Sequence, residues 1–369
     1  MDVFGEIIKI NPPLFEDRFK RVLRYYKDKR WFEMGNLLEE VLSLEGIVGN
    51  RYFLYQCFIE GISRYLNPNH FLKIVLAVVN DFSSPDEGIE FLIKIIESYE
   101  REMPLNDVLR LRVVQFLILN GDFEGSIQIL HEIKSRMTES TPLSIRSSFY
   151  KTLSSLDKAR GDYEEFYISI LQYLSTSQIK EDMIIAFDLC AAALISKNVS
   201  SFQEVAAHPI TQSLLNTEQQ WIYDLILLLN KGSSDIVSTF DEIYAQKLLN
   251  SRVFSPYLSI IRQKVEIAVL IGLVLSRPYD SRVFSFKEVS ETCSTEHSKV
   301  EWLVMKALSS GIIQGEIDQI EEKVIITWCK PKGLGKERLQ HIKKEVDRWK
   351  DVIHGLRLKM IHKSQTMLE

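Results

Sequence analysis

The chain has 369 residues, 46% of them hydrophobic, with 45 basic and 50 acidic side chains and a formal net charge of -5. That length supports two or three domains and a sizeable core. The mixed, mildly acidic balance argues against bulk nucleic-acid binding and leaves room only for a local basic patch. Four scattered cysteines, Cys57, Cys190, Cys293 and Cys329, form no C-x-x-C pair. They read as free thiols of a reducing compartment. The N-terminus lacks the basic start and apolar run of a secretory signal. The longest apolar run, Ile267 to Leu275, has nine residues, against about 20 for a membrane span. A cytoplasmic and nuclear protein is expected.

Ten prolines punctuate the chain, and segments of helical period lie between them. Strand signals are nearly absent before residue 280, so the first 250 residues are expected to form antiparallel helix pairs. Gly121-Asp122-Phe123-Glu124 opens a helix that continues through Ile127, Ile129, Leu130 and Ile133. Gly161-Asp162-Tyr163-Glu164 opens another with Tyr167, Ile168, Leu171 and Leu174, and Lys29-Arg30-Trp31-Phe32-Glu33 a third with Leu37, Leu38 and Val41. A period of about 40 falls among helical-repeat families. Such repeats bury their faces only by stacking, which leaves long surfaces for partners. Tyr257 to Ser276 reads as one long helix ended by Pro278.

A winged helix follows. Val283-Phe284 suits a short strand, and Ser285 suits the cap of a helix, with Glu288 completing a capping box. Ser294 or Thr295 is the expected cap of the next helix. There Val300, Leu303, Val304, Ala307 and Leu308 make one apolar stripe, and Gly311 is the stop. Ile313 and Ile317, then Val324, Ile326 and Trp328, alternate with Gln314, Glu316, Ile325, Thr327 and Cys329 as a hairpin. The second strand, Val324 to Trp328, reads as a sheet edge to which a neighbour adds a strand. The face opposite the stripe holds Thr295, Lys299, Trp302, Lys306 and Ser309. It offers two cations and no Arg, Asn or Gln to read bases, which disfavours duplex binding. Trp302 packs on the chain's own helices or anchors a partner, and both readings stay open.

After Lys330 a linker through Gly333 and Gly335 leads to one helix. Leu339, Ile342, Val346, Trp349, Ile353, Leu356 and Met360 are spaced alternately by three and four, a heptad seam with a mostly basic remainder. The narrow seam suits packing on other chains' helices better than lying on a membrane. The expected domains are a helical array at 1–250, a winged helix at 251–330 and an amphipathic tail at 331–369.

No catalytic pattern emerges: there is no P-loop, H-E-x-x-H, G-x-S-x-G or G-x-G-x-x-G. His354 and His362 share a helix but lack further ligands, and His131 and His208 stand alone. No catalytic residue, cofactor or metal is expected, so the reading is a scaffold and not an enzyme.

The run Val300, Glu301, Leu303, Val304, Met305, Lys306, Ala307, Gly311, Ile312, Ile313, Gly315, Ile317, Asp318, Gln319 resembles PCI-domain proteins. These are subunits of the proteasome lid, the signalosome and translation initiation factor three. Three further pieces, Ser148-Phe149-Tyr150, Glu165-Phe166-Tyr167 through Leu171, Tyr173, Leu174, Ser175 and Thr176, and Ala207-His208-Pro209-Ile210, resemble the non-ATPase lid subunit nine family of the 26S proteasome, numbered thirteen in animals. The resemblance implies a mainly α fold: a right-handed array of TPR-like helical hairpins, a winged-helix PCI module and a long C-terminal helix. It implies a non-catalytic scaffold of the regulatory-particle lid in ubiquitin-dependent degradation. Trp302, Ile313, Ile317, Val324, Ile326 and Trp328 would make lateral contacts with other PCI subunits, especially subunit five. The seam from Leu339 to Met360 would join a helix bundle with the deubiquitinase pair, and the von Willebrand-type ubiquitin receptor would lie nearby. The alternatives are the PCI subunit of initiation factor three, which shares Asp318-Gln319 and Trp349-Lys350, and a winged-helix nucleic-acid binder.

Overall fold

The computed structural model describes residues 12–44, 47, 49–82, 84–98, 103–177, 181–233, 235–278, 281–330 and 336–366. The expected linker glycines Gly333 and Gly335 lie outside them. Two compact units divide after residue 178, and each is mainly helical, as the resemblance implied.

The first unit contains helix pairs joined by tight turns. Met103–Asn120 packs on Phe123–Arg136, and Leu143–Arg160 on Tyr163–Thr176. The repeat expected from the sequence is visible in the turns. Gly121 (φ 81°) and Gly161 (φ 75°) take the left-handed backbone that ends the leading helix. Asp122 and Asp162 then accept hydrogen bonds from the amides of Gly125 and Glu165 and cap the following helix. In both turns the glycine amide bonds three residues back and the aspartate amide five back, the paired bonds of a Schellman motif. Phe123 and Tyr163 follow, each half-buried. The third turn has the same backbone and the same two bonds, from Lys29 to Tyr26 and from Arg30 to Tyr25. Its left-handed residue is Lys29 (φ 54°) and its cap position holds Arg30, which makes no capping bond. Each departure costs on the order of 1 kcal/mol.

The core of this unit includes Phe19, Met34, Leu38, Phe71, Leu92 and Phe116, with a second cluster around Leu111, Leu130 and Phe149. Asp157 lies buried beneath the second glycine turn and accepts a 2.9 Å hydrogen bond from the Ser169 hydroxyl. Burial pushes its carboxyl up to about 6, with Glu165 and Asp162 adding to the rise while Ser169 and Arg160 oppose it.

In the second unit the expected long helix runs from Leu258 to Ser276 and buries Val265, Ala268, Leu270 and Ile271. Gly272 sits where a Cβ would come within 1.8 Å of the Gly232 carbonyl oxygen, so only glycine lets the backbones meet. Lys264 is buried and donates a 2.7 Å hydrogen bond to the Ala193 carbonyl near the end of Met183–Ile195. A cation suits that helix end. Phe202 lies beneath its ammonium at 5.4 Å.

The winged helix comprises β1 (Val283–Ser285), helix Phe286–Cys293, helix His297–Ser309, β2 (Ile313–Asp318) and β3 (Lys323–Cys329). Ser285 caps its helix by accepting from the Glu288 amide. The Glu288 carboxylate pairs with Arg277 in place of closing the box. The stripe Val300, Leu303, Val304 and Ala307 is buried, and Gly311 (φ 65°) ends the helix. Two expectations change. Ser294 is not the N-cap of the helix that follows: it takes a left-handed turn (φ 49°) that caps the C-terminus of the preceding helix, and Glu296 occupies the N-cap position of the next. The sheet order is β1-β3-β2. β3 is therefore the central strand, and the free edges belong to β1 and β2.

Candidate protein–protein interface

The hairpin carries a bulge. Gln314 pairs with Trp328 and Gly315 with Ile326, so Thr327 is an extra residue in β3. A Cβ on Gly315 would lie 2.1 Å from the Ile325 carbonyl oxygen, so the narrow crossing requires glycine. The extra residue reverses the alternation. Val324 and Ile326 face inward, Trp328 turns out, and Cys329 is buried in its place. Ile313 is buried with Val324 and Ile326, and Ile317 is half-buried. Three of the six winged-helix residues that the sequence offered for contact thus fill the module's own core. Trp302 and Trp328 remain exposed.

Other exposed apolar groups lie on the same module. Val283 and Ile325 are direct cross-strand partners and both are exposed. Ile320 is 94% exposed at the hairpin tip. There the Asp318 carboxylate accepts from the Ile320 and Glu321 amides and fixes the turn. The signal for Ile320 was present in the sequence as an apolar residue inside a polar turn. Lys306 lies 5.8 Å over the Trp302 ring and reaches a cavity of about 210 Å³ shared with Lys197, Lys264, Ser309 and Ile312.

The last helix runs from Lys336 to Thr366. At 1.5 Å per residue its 31 residues extend about 46 Å. Every seam side chain is exposed, from 46% at Ile342 to 73% at Met360, with Trp349 at 66%. Leu339, Val346, Ile353 and Leu356 complete the stripe, and Val352, also exposed, widens it beside Leu356. A stripe of this size on one helix is a candidate association surface.

Among the described residues no group of three His, Cys, Asp or Glu could hold a metal ion. Burial pushes the Cys190 and Cys293 thiols up to about 12, which keeps them protonated. No described helix is long and apolar enough to cross a membrane.

Comparison with known proteins covers nearly the whole chain. The family model for PSD13 N-terminal repeats matches residues 18–226, and that for the PCI domain matches residues 242–328. The 26S proteasome regulatory subunit RPN9 of Saccharomyces cerevisiae is 26% identical, over 96% of this chain and 95% of its own length. The 26S proteasome non-ATPase regulatory subunit 13 homolog A of Arabidopsis thaliana is 25% identical over 95% and 94%. The 26S proteasome non-ATPase regulatory subunit 13 of Dictyostelium discoideum is 25% identical over 95% and 93%.

Proposed function

Because the chain belongs to the family defined by PSD13 N-terminal repeats and carries a PCI domain, we propose that it is a non-catalytic scaffold subunit of the 26S proteasome regulatory-particle lid. It would work in the cytoplasm and nucleus in ubiquitin-dependent degradation. The observation that carries this reading is the seam from Leu339 to Met360, seven large apolar side chains all exposed on one helix. The hydrophobic effect strongly favours covering such a stripe, and helices of neighbouring subunits, the deubiquitinase pair among them, are the cover proposed. Its three working parts would be the array at 1–250, the winged helix at 251–330 and the tail at 331–369.

The lateral contact is proposed at the sheet edges. β2 offers the longer free edge, six residues against three in β1, and a neighbouring PCI subunit such as subunit five would continue the sheet there. Trp302, Trp328 and Ile320 would flank that joint, and Ile313, Val324 and Ile326 would support it from within. The von Willebrand-type receptor would meet another part of the chain. The test is affinity purification of the tagged chain from its own cells, followed by mass spectrometry. Proteasomal ATPases and lid subunits should co-purify, and should be lost on removing residues 336–369. Ribosomal proteins in their place would favour initiation factor three and overturn the reading.

A further inference from the structure

The first described helix junction has the backbone and the two hydrogen bonds of the glycine junctions, but neither their glycine nor their capping aspartate. Lys29 stands at the left-handed position that Gly121 and Gly161 hold elsewhere. Arg30 (φ -88°, ψ 77°) matches the cap backbone of Asp122 (φ -82°, ψ 85°) and Asp162 (φ -87°, ψ 83°), yet its side chain cannot accept a hydrogen bond from the helix. Local rules are broken most often where a residue serves something other than stability.

What these residues supply is charge. Seven basic residues and one acidic residue, Asp28, lie between Arg18 and Arg30, within a chain whose net charge is -5. Lys27, Lys29, Arg30 and Arg64 are exposed, and none belongs to an ion pair among the described residues. An aromatic cluster lies among them. Trp31 and Tyr65 stack at 4.9 Å and 15°. Tyr26 meets the Trp31 edge at 5.9 Å and lies 5.8 Å from Phe58. Tyr26, Phe32 and Tyr65 are all exposed, Tyr65 by 62%.

We propose that the junction from Tyr26 to Phe32, with Arg64 and Tyr65, is a docking surface for an acidic protein segment that sets an aromatic or branched apolar anchor among Asp and Glu residues. Free cations around a half-exposed ring stack are complementary to that chemistry: the carboxylates meet Lys27, Lys29, Arg30 and Arg64, and the anchor covers the outer ring faces. A nucleic acid fits less well. Residues 1–178 carry 21 basic and 26 acidic side chains, and a long polyanion would leave the basic island and meet repulsion. It uses none of the residues of the sheet edge or the helical seam.

The test uses the full chain and fluorescence anisotropy of a labelled synthetic peptide of Glu and Asp with a Phe at every fourth position, at low salt. A peptide with Ser in place of Phe and an oligo(dT) of equal charge serve as comparators. The Phe peptide should bind tightest. The double variant Lys29→Gly/Arg30→Asp removes three charge units and should weaken it about tenfold. The same variant should raise Tm by about 2–4 °C, because it restores the glycine and the cap. Tyr65→Ala should remove the preference for the Phe peptide over the Ser peptide. Opposite signs in binding and Tm separate loss of the surface from loss of the fold. Unchanged peptide binding in the double variant, a lowered Tm, or oligo(dT) binding tighter than the Phe peptide would each overturn the proposal.

Discussion

The winged helix and the last helix place apolar residues at equally regular spacing, and they use them in opposite ways. In the winged helix Val300, Leu303, Val304 and Ala307 are buried in the same module as Phe284, Ile313, Val324 and Ile326. In the last helix all seven seam residues are exposed. Periodicity identifies which face must be covered; it does not say whose atoms cover it. The spacing itself carries part of the distinction. A stripe at i, i+3, i+4 and i+7 within thirteen residues suits a helix lying on a sheet. A strict alternation of three and four over twenty-two residues, Leu339 to Met360, suits another helix. An ideal helix drifts about 20° per heptad from such a seam, so a partner helix would wind with it.

The largest effect tests the inward half of the contrast. Leu303→Ala should destabilise the second unit by about 2–5 kcal/mol, measured as a shift in denaturant midpoint of the isolated chain. A loss under about 1 kcal/mol would mean that the winged helix depends on a neighbour, as is proposed for the seam. Gly272→Ala comes next. The new methyl would meet the Gly232 carbonyl at 1.8 Å, and separating the two backbones should cost about 1–3 kcal/mol. An unchanged midpoint would show that these segments yield easily, and would weaken the view of this unit as packed for itself.

A smaller effect is read by pH alone. Asp157 is the buried carboxyl whose pKa is pushed up to about 6. The folded chain therefore holds a proton that the unfolded chain has released, and stability falls as pH rises from about 4 through 6. Asp157→Asn keeps an acceptor for the Ser169 hydroxyl and removes the titration. The variant should match the parent near pH 4 and exceed it by about 1–3 kcal/mol at pH 7. A constant difference across that range would count against the burial of this group as the cause.

Local chemistry was readable in the sequence where one residue decides a conformation. Asp122, Asp162 and Ser285 cap as their types suggest, and Gly121, Gly161 and Gly311 stop helices as glycines do. Ser294 misled because its type suits a cap while its backbone (φ 49°) closes the helix before it. Alternation groups Trp328 with Val324 and Ile326 because it cannot register an inserted residue: Thr327 bulges, and the tryptophan changes face. β3 reads as an edge from the hairpin alone, because strand order depends on where β1 arrives from some forty residues earlier, and no pattern within the hairpin encodes that pairing. The exposed seam was legible as a seam, since nothing between Leu339 and Met360 interrupts it. Ile320 does not stand out in the sequence, because a single apolar residue in a polar turn has no period.

The smallest effect on stability is the one that decides the contrast. Trp349 and Ile353 lie at the middle of the seam and are 66% and 65% exposed. Replacing an exposed side chain removes little buried area, so Trp349→Ser/Ile353→Ser should shift the midpoint of the isolated chain by no more than about 0.5 kcal/mol. The same pair should abolish recovery of lid subunits with the tagged chain, because a coiled seam without its central residues loses two adjacent knobs. A third measurement separates this from a loss of helix: circular dichroism at 222 nm should be unchanged, since serine costs only a few tenths of a kcal/mol more than tryptophan or isoleucine at an exposed helical position. If the double variant unfolds the second unit instead, the seam packs on its own chain and the two regions are alike. If it leaves both stability and recovery intact, the exposed stripe is idle. Only a stable variant that fails to assemble agrees with a helix whose apolar face is completed by another molecule.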